Sequence, residues 1–209
     1  MGADGEATRE QIMEATYEAL IETGYADLTM SDIANASGTS TSLLHYHFDT
    51  KEDLLVAFLD HLVENIERDL DEEAPDDPIG RLHYILQWYV VSPEEKEREA
   101  FHVALLELRV QAPRNDRYRS RIREADRVIR EALTRAIEDG IDEGLIAGES
   151  PETVAAVILA AADGAETRWL MTGEAIYSDF VTGGITDYLL TDLFTVDARK
   201  RWDELTEDG

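Results

Sequence analysis

Residues 39–46 read Thr-Ser-Thr-Ser-Leu-Leu-His-Tyr, a run of small hydroxyl side chains followed by an imidazole and a phenol. Such groups donate and accept hydrogen bonds without a fixed negative charge, which is the chemistry needed to read base edges in a groove of duplex nucleic acid. Aspartate and glutamate supply 46 of the 209 residues, yet none lies between Ile33 and Phe48. A phosphate backbone would repel carboxylates there. An acid-free run can also mark burial, as in residues 79–93, but that run is apolar whereas residues 39–42 are polar.

Two short helices must position this run. Thr29 or Ser31 can cap the first, with Ile33, Ala34 and Ala36 on its buried side, and Gly38 supplies the permissive backbone of a tight turn. Ser40 or Thr41 caps the second, which turns Leu44 and Phe48 inward at i, i+4 and leaves Thr41, Ser42, His45 and Tyr46 outward. This is the pattern of a helix-turn-helix. The candidate DNA-binding residues are Thr29, Ser40, Thr41, Ser42, His45, Tyr46, His47 and Lys51. Thr29, at a helix N-terminus, and Lys51, through its charge, are expected on phosphates, and the others on or beside base edges.

Residues 12–55 resemble the DNA-binding domain of TetR-family transcriptional regulators. The resemblance rests on Ile12-Met13, Ala15, Leu20, Gly24-Tyr25, Leu28-Thr29, Ile33-Ala34, Ala36, Gly38, Ser40, Leu44, His47-Phe48, Lys51 and Leu54-Leu55. Ser42 stands where that family often has glycine and His45 where it usually has tyrosine, departures that bear on base preference. More loosely, Leu159 to Ala165, with Arg168 following, resembles the BetI-like subgroup.

The rest of the chain reads as all-α. Residues 1–6 look like a mobile leader, and residues 8–23 form a first helix ended by Gly24. A long helix from Lys51 carries Leu55, Phe58, Leu59, Leu62, Val63 and Ile66 as an apolar stripe. The five prolines, Pro75, Pro78, Pro93, Pro113 and Pro151, fall between periodic segments, so further helices are expected over 79–91, 94–111, 116–143, a span from Pro151 capped by Ser150, and 178–194. Residues beyond Val196 read as frayed. The expected architecture is an N-terminal three-helix helix-turn-helix domain, residues 1–50, and a C-terminal helical bundle, residues 51–209, for effector binding and dimerisation. The family resemblance implies the dimer, and the small-sided run Val154 to Ala162 suits a four-helix interface between two copies.

A formal charge of −27 argues against DNA binding on a simple basic-patch test. Lysine occurs only at Lys51, Lys96 and Lys200, and acids cover every segment, a composition similar to that of proteins from salt-accumulating halophiles. In molar salt the screening length falls to about 3 Å, so repulsion from DNA largely disappears. With no cysteine there is no disulfide and no thiolate chemistry, and with no long apolar run or signal-like start a cytoplasmic, non-membrane protein is expected.

Other chemistry is sparse. Glu99 and His102 form half of a di-metal bundle pattern, but the second half is missing, and His45 and His47 point about 200° apart on a helix, so no metal site and no cofactor are expected. No phosphate loop or nucleophile elbow appears, so the chain does not read as an enzyme. His83, Gln87, Trp88, Phe101, His102 and Trp169 are candidates for a small-molecule effector pocket, since aromatic and polar groups in an apolar bundle are what such cavities use. The sequence therefore points to a homodimeric DNA-binding regulator, most simply a repressor released from a palindromic operator by an effector. The alternative is a helical ligand- or partner-binding module that does not bind DNA.

Overall fold

The computed structural model describes residues 3–89, 96–148, 150–174, 180–181 and 183–207. The described chain is helical, as its periodicity predicts: α1 (Ala3–Asp27), α2 (Met30–Ala36), α3 (Thr41–His47), α4 (Lys51–Glu72), α5 (Pro78–Tyr89), α6 (Lys96–Gln111), α7 (Asp116–Asp142), α8 (Pro151–Thr172) and α9 (Val196–Glu207). Before α9, a π-helical stretch, Ile185–Leu190, leads into a short α-helical turn, Thr191–Leu193. The predicted helix over 178–194 begins in part on residues outside the described ones.

The contacts divide the chain into two compact units, Met1–Asn65 with Glu94–Ala125, and Ile66–Pro93 with Asp126–Gly209. They group the chain differently from a division at residue 50, because α6 packs on α1 and the start of α7 joins the same core. In the first unit Ile12, Met13, Leu20, Ile33, Leu44, Leu54, Leu55 and Phe58 close on Ala104, Leu108 and Tyr118. In the second, Leu82 and Ile85 of α5 meet Ile129, Leu133 and Ile137 of α7, Ile158 of α8, and Ala198 and Trp202 of α9.

Local chemistry explains where the helices begin and end. α1 carries a kink at Gly24 (φ 71, ψ 165), a conformation a side chain would strain. Ile129, Leu133 and Ile137 of α7 repeat at i, i+4 and i+8, and the helix is followed by Gly144 in the left-handed region (φ 72).

Four expectations need correction. Helix α1 begins at Ala3 and so takes in residues 3–6 of the stretch read as a leader, residues 1–2 lying outside the described ones. Ala36 is exposed, so the buried residues of α2 are Ile33 and Ala34, with Met30 partly buried against the same core. Ser150 does not cap α8 with its side chain, since its hydroxyl lies 2.6 Å from that of Thr153. Residues read as frayed form α9, held by Ala198 and Trp202, which are 0% and 4% exposed. Their i, i+4 spacing, continued by Leu205 at i+7, was the available signal, diluted by the charged residues between.

Candidate nucleic-acid interface

The helix-turn-helix is fixed by hydrogen bonds that satisfy its backbone ends. Thr29 and Asp32 form a capping box: the Thr29 amide and hydroxyl donate to Asp32 Oδ2 at 2.8 and 2.6 Å, and the Asp32 amide donates to Thr29 Oγ1 at 3.3 Å. These bonds, the Thr29 hydroxyl's first, hold the Asp32 carboxyl below the usual aspartate range. Gly38 (φ 63) makes the turn, the Thr39 amide donates to the Ala34 carbonyl at 3.0 Å, and the buried Ser37 hydroxyl donates to the same carbonyl at 3.1 Å. Gln11 of α1 donates to the Ser37 carbonyl at 2.9 Å, tying the turn to the first helix. Ser40 caps α3 by accepting from the Leu43 amide at 3.1 Å.

This framework buries Leu44 completely and turns the polar side chains out. Ser42, His45, Tyr46 and His47 are exposed, Tyr46 to 83%, while Thr41 is half-buried. The rings of Tyr46 and His47 meet edge to face at 5.2 Å. Thr29 is exposed at the start of α2. Lys51 is different: its ammonium donates to the Tyr25 and Leu28 carbonyls at 3.2 and 2.8 Å and sits 5.1 Å from the Tyr25 ring centroid. Its charge is therefore fixed at the junction of α1, α2 and α4. The arrangement offers a face of uncharged donors and acceptors flanked by two helix N-termini, and no nucleophile with an activating base.

Two family descriptions match the chain: "Bacterial regulatory proteins, tetR family" over residues 12–58, and "BetI-type transcriptional repressor, C-terminal" over residues 78–191. The chain belongs to the TetR family of transcriptional regulators. TetR-family members of similar sequence and fold include a transcription regulator from Haloarcula marismortui, 38% identical, aligned over 91% of this chain and 100% of that one with a TM-score of 0.82. The HTH-type transcriptional regulator TtgR of Pseudomonas putida is 25% identical over 83% of this chain and 85% of its own length. A regulator from Saccharomonospora viridis, solved in complex with choline, has the same fold (TM-score 0.75) at 21% identity, over 91% of this chain and 99% of that one.

Within this TetR-family fold the candidate effector residues are divided between the two units. Phe101 packs in the first unit, 4.7 Å from the Tyr17 ring and 6.4 Å from that of Phe58, with His102 edge-on at 5.7 Å. His83 belongs to the second unit, where its ring meets Trp202 at 5.1 Å, and burial, followed by the charge of Arg201, holds its imidazole below the ordinary value. Trp169 is buried in α8 and Gln87 is exposed on α5. The side chain of Trp88 lies outside the described residues. A surface cavity of about 350 Å³ is lined by Val56, Asp116, Arg117, Ser120 and Arg121, none of them among these candidates.

Sequence reading passed over the residues that support the interface from a distance. Glu107 of α6 accepts from the Tyr25 amide at 2.8 Å beside the Gly24 kink. Tyr118, 2% exposed on α7, is hydrogen-bonded with Tyr25, and burial pushes its hydroxyl pKa up. Arg117 donates to Asp53 at 2.6 Å. No local pattern announces such partners, because each lies far along the chain from the group it serves.

Proposed function

We propose that the chain is a repressor that binds a palindromic operator as a homodimer and is released when a small molecule enters the helical bundle. The observation that carries the DNA-binding part is the exposed, uncharged face of α3 above a fully buried Leu44, on a chain that is acidic almost everywhere else. In this reading Thr41, Ser42, His45 and Tyr46 reach base edges, Ser40 and His47 flank them, and the first turns of α2 and α4 meet phosphates at Thr29 and at Lys51, whose ammonium leaves the Tyr25 and Leu28 carbonyls to do so. The DNA-binding domain is residues 1–50 and the effector and dimer domain is residues 51–209. No helix among the described residues is long and apolar enough to cross a membrane, in keeping with a cytoplasmic site of action.

Support for the dimer comes from the outer side of α8, where Ala156, Val157, Ala160 and Gly164 are exposed along one stripe, and from Tyr188, 83% exposed. Support for a small-molecule effector comes from the choline-bound relative, without fixing the effector here. The acidic composition and the relative from Haloarcula marismortui favour a protein that works at high salt.

A mobility-shift titration with the DNA upstream of its own gene tests the reading: one retarded species at one dimer per palindrome is expected. No shift at any salt concentration would leave the ligand- or partner-binding module as the better account.

A further inference from the structure

Up to Phe58 the only basic side chains are Arg9 and Lys51. Arg9 lies 3.7 Å from Glu64, and Lys51 is held by the Tyr25 and Leu28 carbonyls. Next to Lys51 stand two carboxylates, Glu52 and Asp53, on the first turn of α4. Unopposed, they would repel any phosphate brought to that turn.

Arg117 reaches them from 64 residues further along the chain. Asp53 uses Oδ2 to accept from the Thr50 amide and hydroxyl at 3.0 and 2.6 Å, and Arg117 takes the other oxygen, Oδ1, at 2.6 Å. The same guanidinium nitrogen lies 3.7 Å from Glu52 Oε1. The start of α7 is anchored so as to hold the guanidinium there. The Arg117 and Tyr118 amides donate to Asn115 Oδ1 at 3.0 and 3.2 Å, and Tyr118 is buried against the partner of Lys51, Tyr25.

We propose that Arg117 is a positioning residue for operator binding: it offsets one of the two negative charges of Glu52 and Asp53, so that a head almost without free cations can approach phosphate. This rests on the reading that the head binds DNA. An exposed ion pair contributes little to stability, so the effect is on DNA approach and should respond to screening.

The test uses full-length protein and fluorescence anisotropy with operator DNA at about 0.3 M and about 2 M KCl, where the screening length falls from about 6 Å to about 2 Å. Arg117→Gln should weaken operator binding about fivefold at the lower salt and less than about twofold at the higher, since screening does what the guanidinium no longer does. Arg117→Lys, which keeps the charge, should stay near wild type, and Glu52→Gln in the Arg117→Gln background should recover most of the loss. Circular dichroism at each salt separates these effects from unfolding. An equal loss at both salts, or a loss that Glu52→Gln does not relieve, would make Arg117 a purely structural contact and overturn the inference; so would unchanged binding by Arg117→Gln. Wild-type protein that binds no operator at any salt would overturn the DNA-binding reading beneath it.

Discussion

Helices α3 and α9 are both short and mostly polar, yet they do opposite things with their polar residues. In α3 one residue, Leu44, is fully buried, and Ser42, His45, Tyr46 and His47 stand outside with no charge among the exposed hydroxyls. In α9 most of the exposed residues are charged, among them Asp197, Arg199, Lys200, Arg201, Asp203 and Glu204, and some of them look inward to the rest of the unit: Arg199 donates to the Thr191 carbonyl at 2.7 Å and Arg201 to Asp77 at 3.3 Å. The first helix leaves its polar groups free for an outside molecule, whereas the second commits them. In the function proposed above it is commitment, more than polarity, that separates a reading surface from a structural one.

The strongest way to break this comparison is to remove each helix's buried anchor. Trp202→Ala should destabilise the protein by about 3–5 kcal/mol, the range for deleting a buried aromatic side chain. Molecules that remain folded should still bind operator. Leu44→Ala should cost a comparable or slightly smaller amount, about 2–5 kcal/mol, and should also abolish binding, since it loosens the helix that carries the reading face. Chemical unfolding monitored by tryptophan fluorescence gives the first quantity and anisotropy the second. A loss below about 1 kcal/mol for Trp202→Ala would show that α9 is peripheral to its unit.

The complementary change is on the exposed face. Tyr46→Ala should leave stability within about 0.5 kcal/mol, as for other surface substitutions away from special features. It should nevertheless lower discrimination between operator and unrelated DNA by about 1–3 kcal/mol, on the order of tenfold. A ratio of operator to unrelated-DNA affinity unchanged from wild type would remove Tyr46 from the reading face.

What the sequence made legible follows the same division. Helices α2 and α3 could be placed to within two residues because their determinants are local: Thr29 with Asp32, Gly38, Ser40 and Leu44 all lie within a few residues of the structure they cause. Pro75, Pro78, Pro113 and Pro151 marked later helix boundaries for the same reason, while Pro93 lies outside the described residues. Helix α9 was misread because its apolar stripe is only three residues, Ala198, Trp202 and Leu205, and its stability depends on α5 more than a hundred residues earlier. Gln11, Glu107, Arg117 and Tyr118 were illegible as supports of the interface, since each acts on a partner that only the folded chain brings near.

A smaller effect separates the capping of α2 from bulk acid unfolding. The Asp32 carboxyl is held below its ordinary value of 3.8 by the Thr29 hydroxyl and amide. A folded-state pKa below the unfolded one means stabilisation that is fully present above about pH 4 and lost as pH falls through the folded-state value. Asp32→Asn keeps an acceptor for Thr29 but removes the charge. Its melting temperature should lie below that of wild type at pH 6, and the two should converge toward pH 2. A gap that persists or widens in acid would assign Asp32 some role other than this charged cap.

The smallest effect expected is the dependence of operator affinity on salt, and its smallness is the point. A binder that neutralises phosphates with lysine or arginine releases counterions, with a log-log slope of about −0.9 per contact. Six such contacts would give a slope of about −5.4 and a loss of about 40-fold when salt is doubled. The head of this protein has little to release counterions with, because Arg9 is beside Glu64 and the Lys51 ammonium is turned onto two carbonyls. Its reading face offers hydroxyls, imidazoles and a phenol, and hydrogen bonds from such groups and from helix N-termini are much less sensitive to screening than long-range attraction. Meanwhile the exposed Asp49, and the one charge of Glu52 and Asp53 that Arg117 leaves unopposed, resist the approach of DNA until salt screens them. The two tendencies nearly cancel, so wild-type affinity between about 0.5 M and 1 M KCl should change by less than about threefold, and in either direction. Fluorescence anisotropy over that range measures the slope directly. A slope as steep as six phosphate contacts require would mean that basic groups away from the head, such as the arginines of α7, meet the DNA after all, and the contrast between an uncharged reading face and charge-committed helices would have to be redrawn.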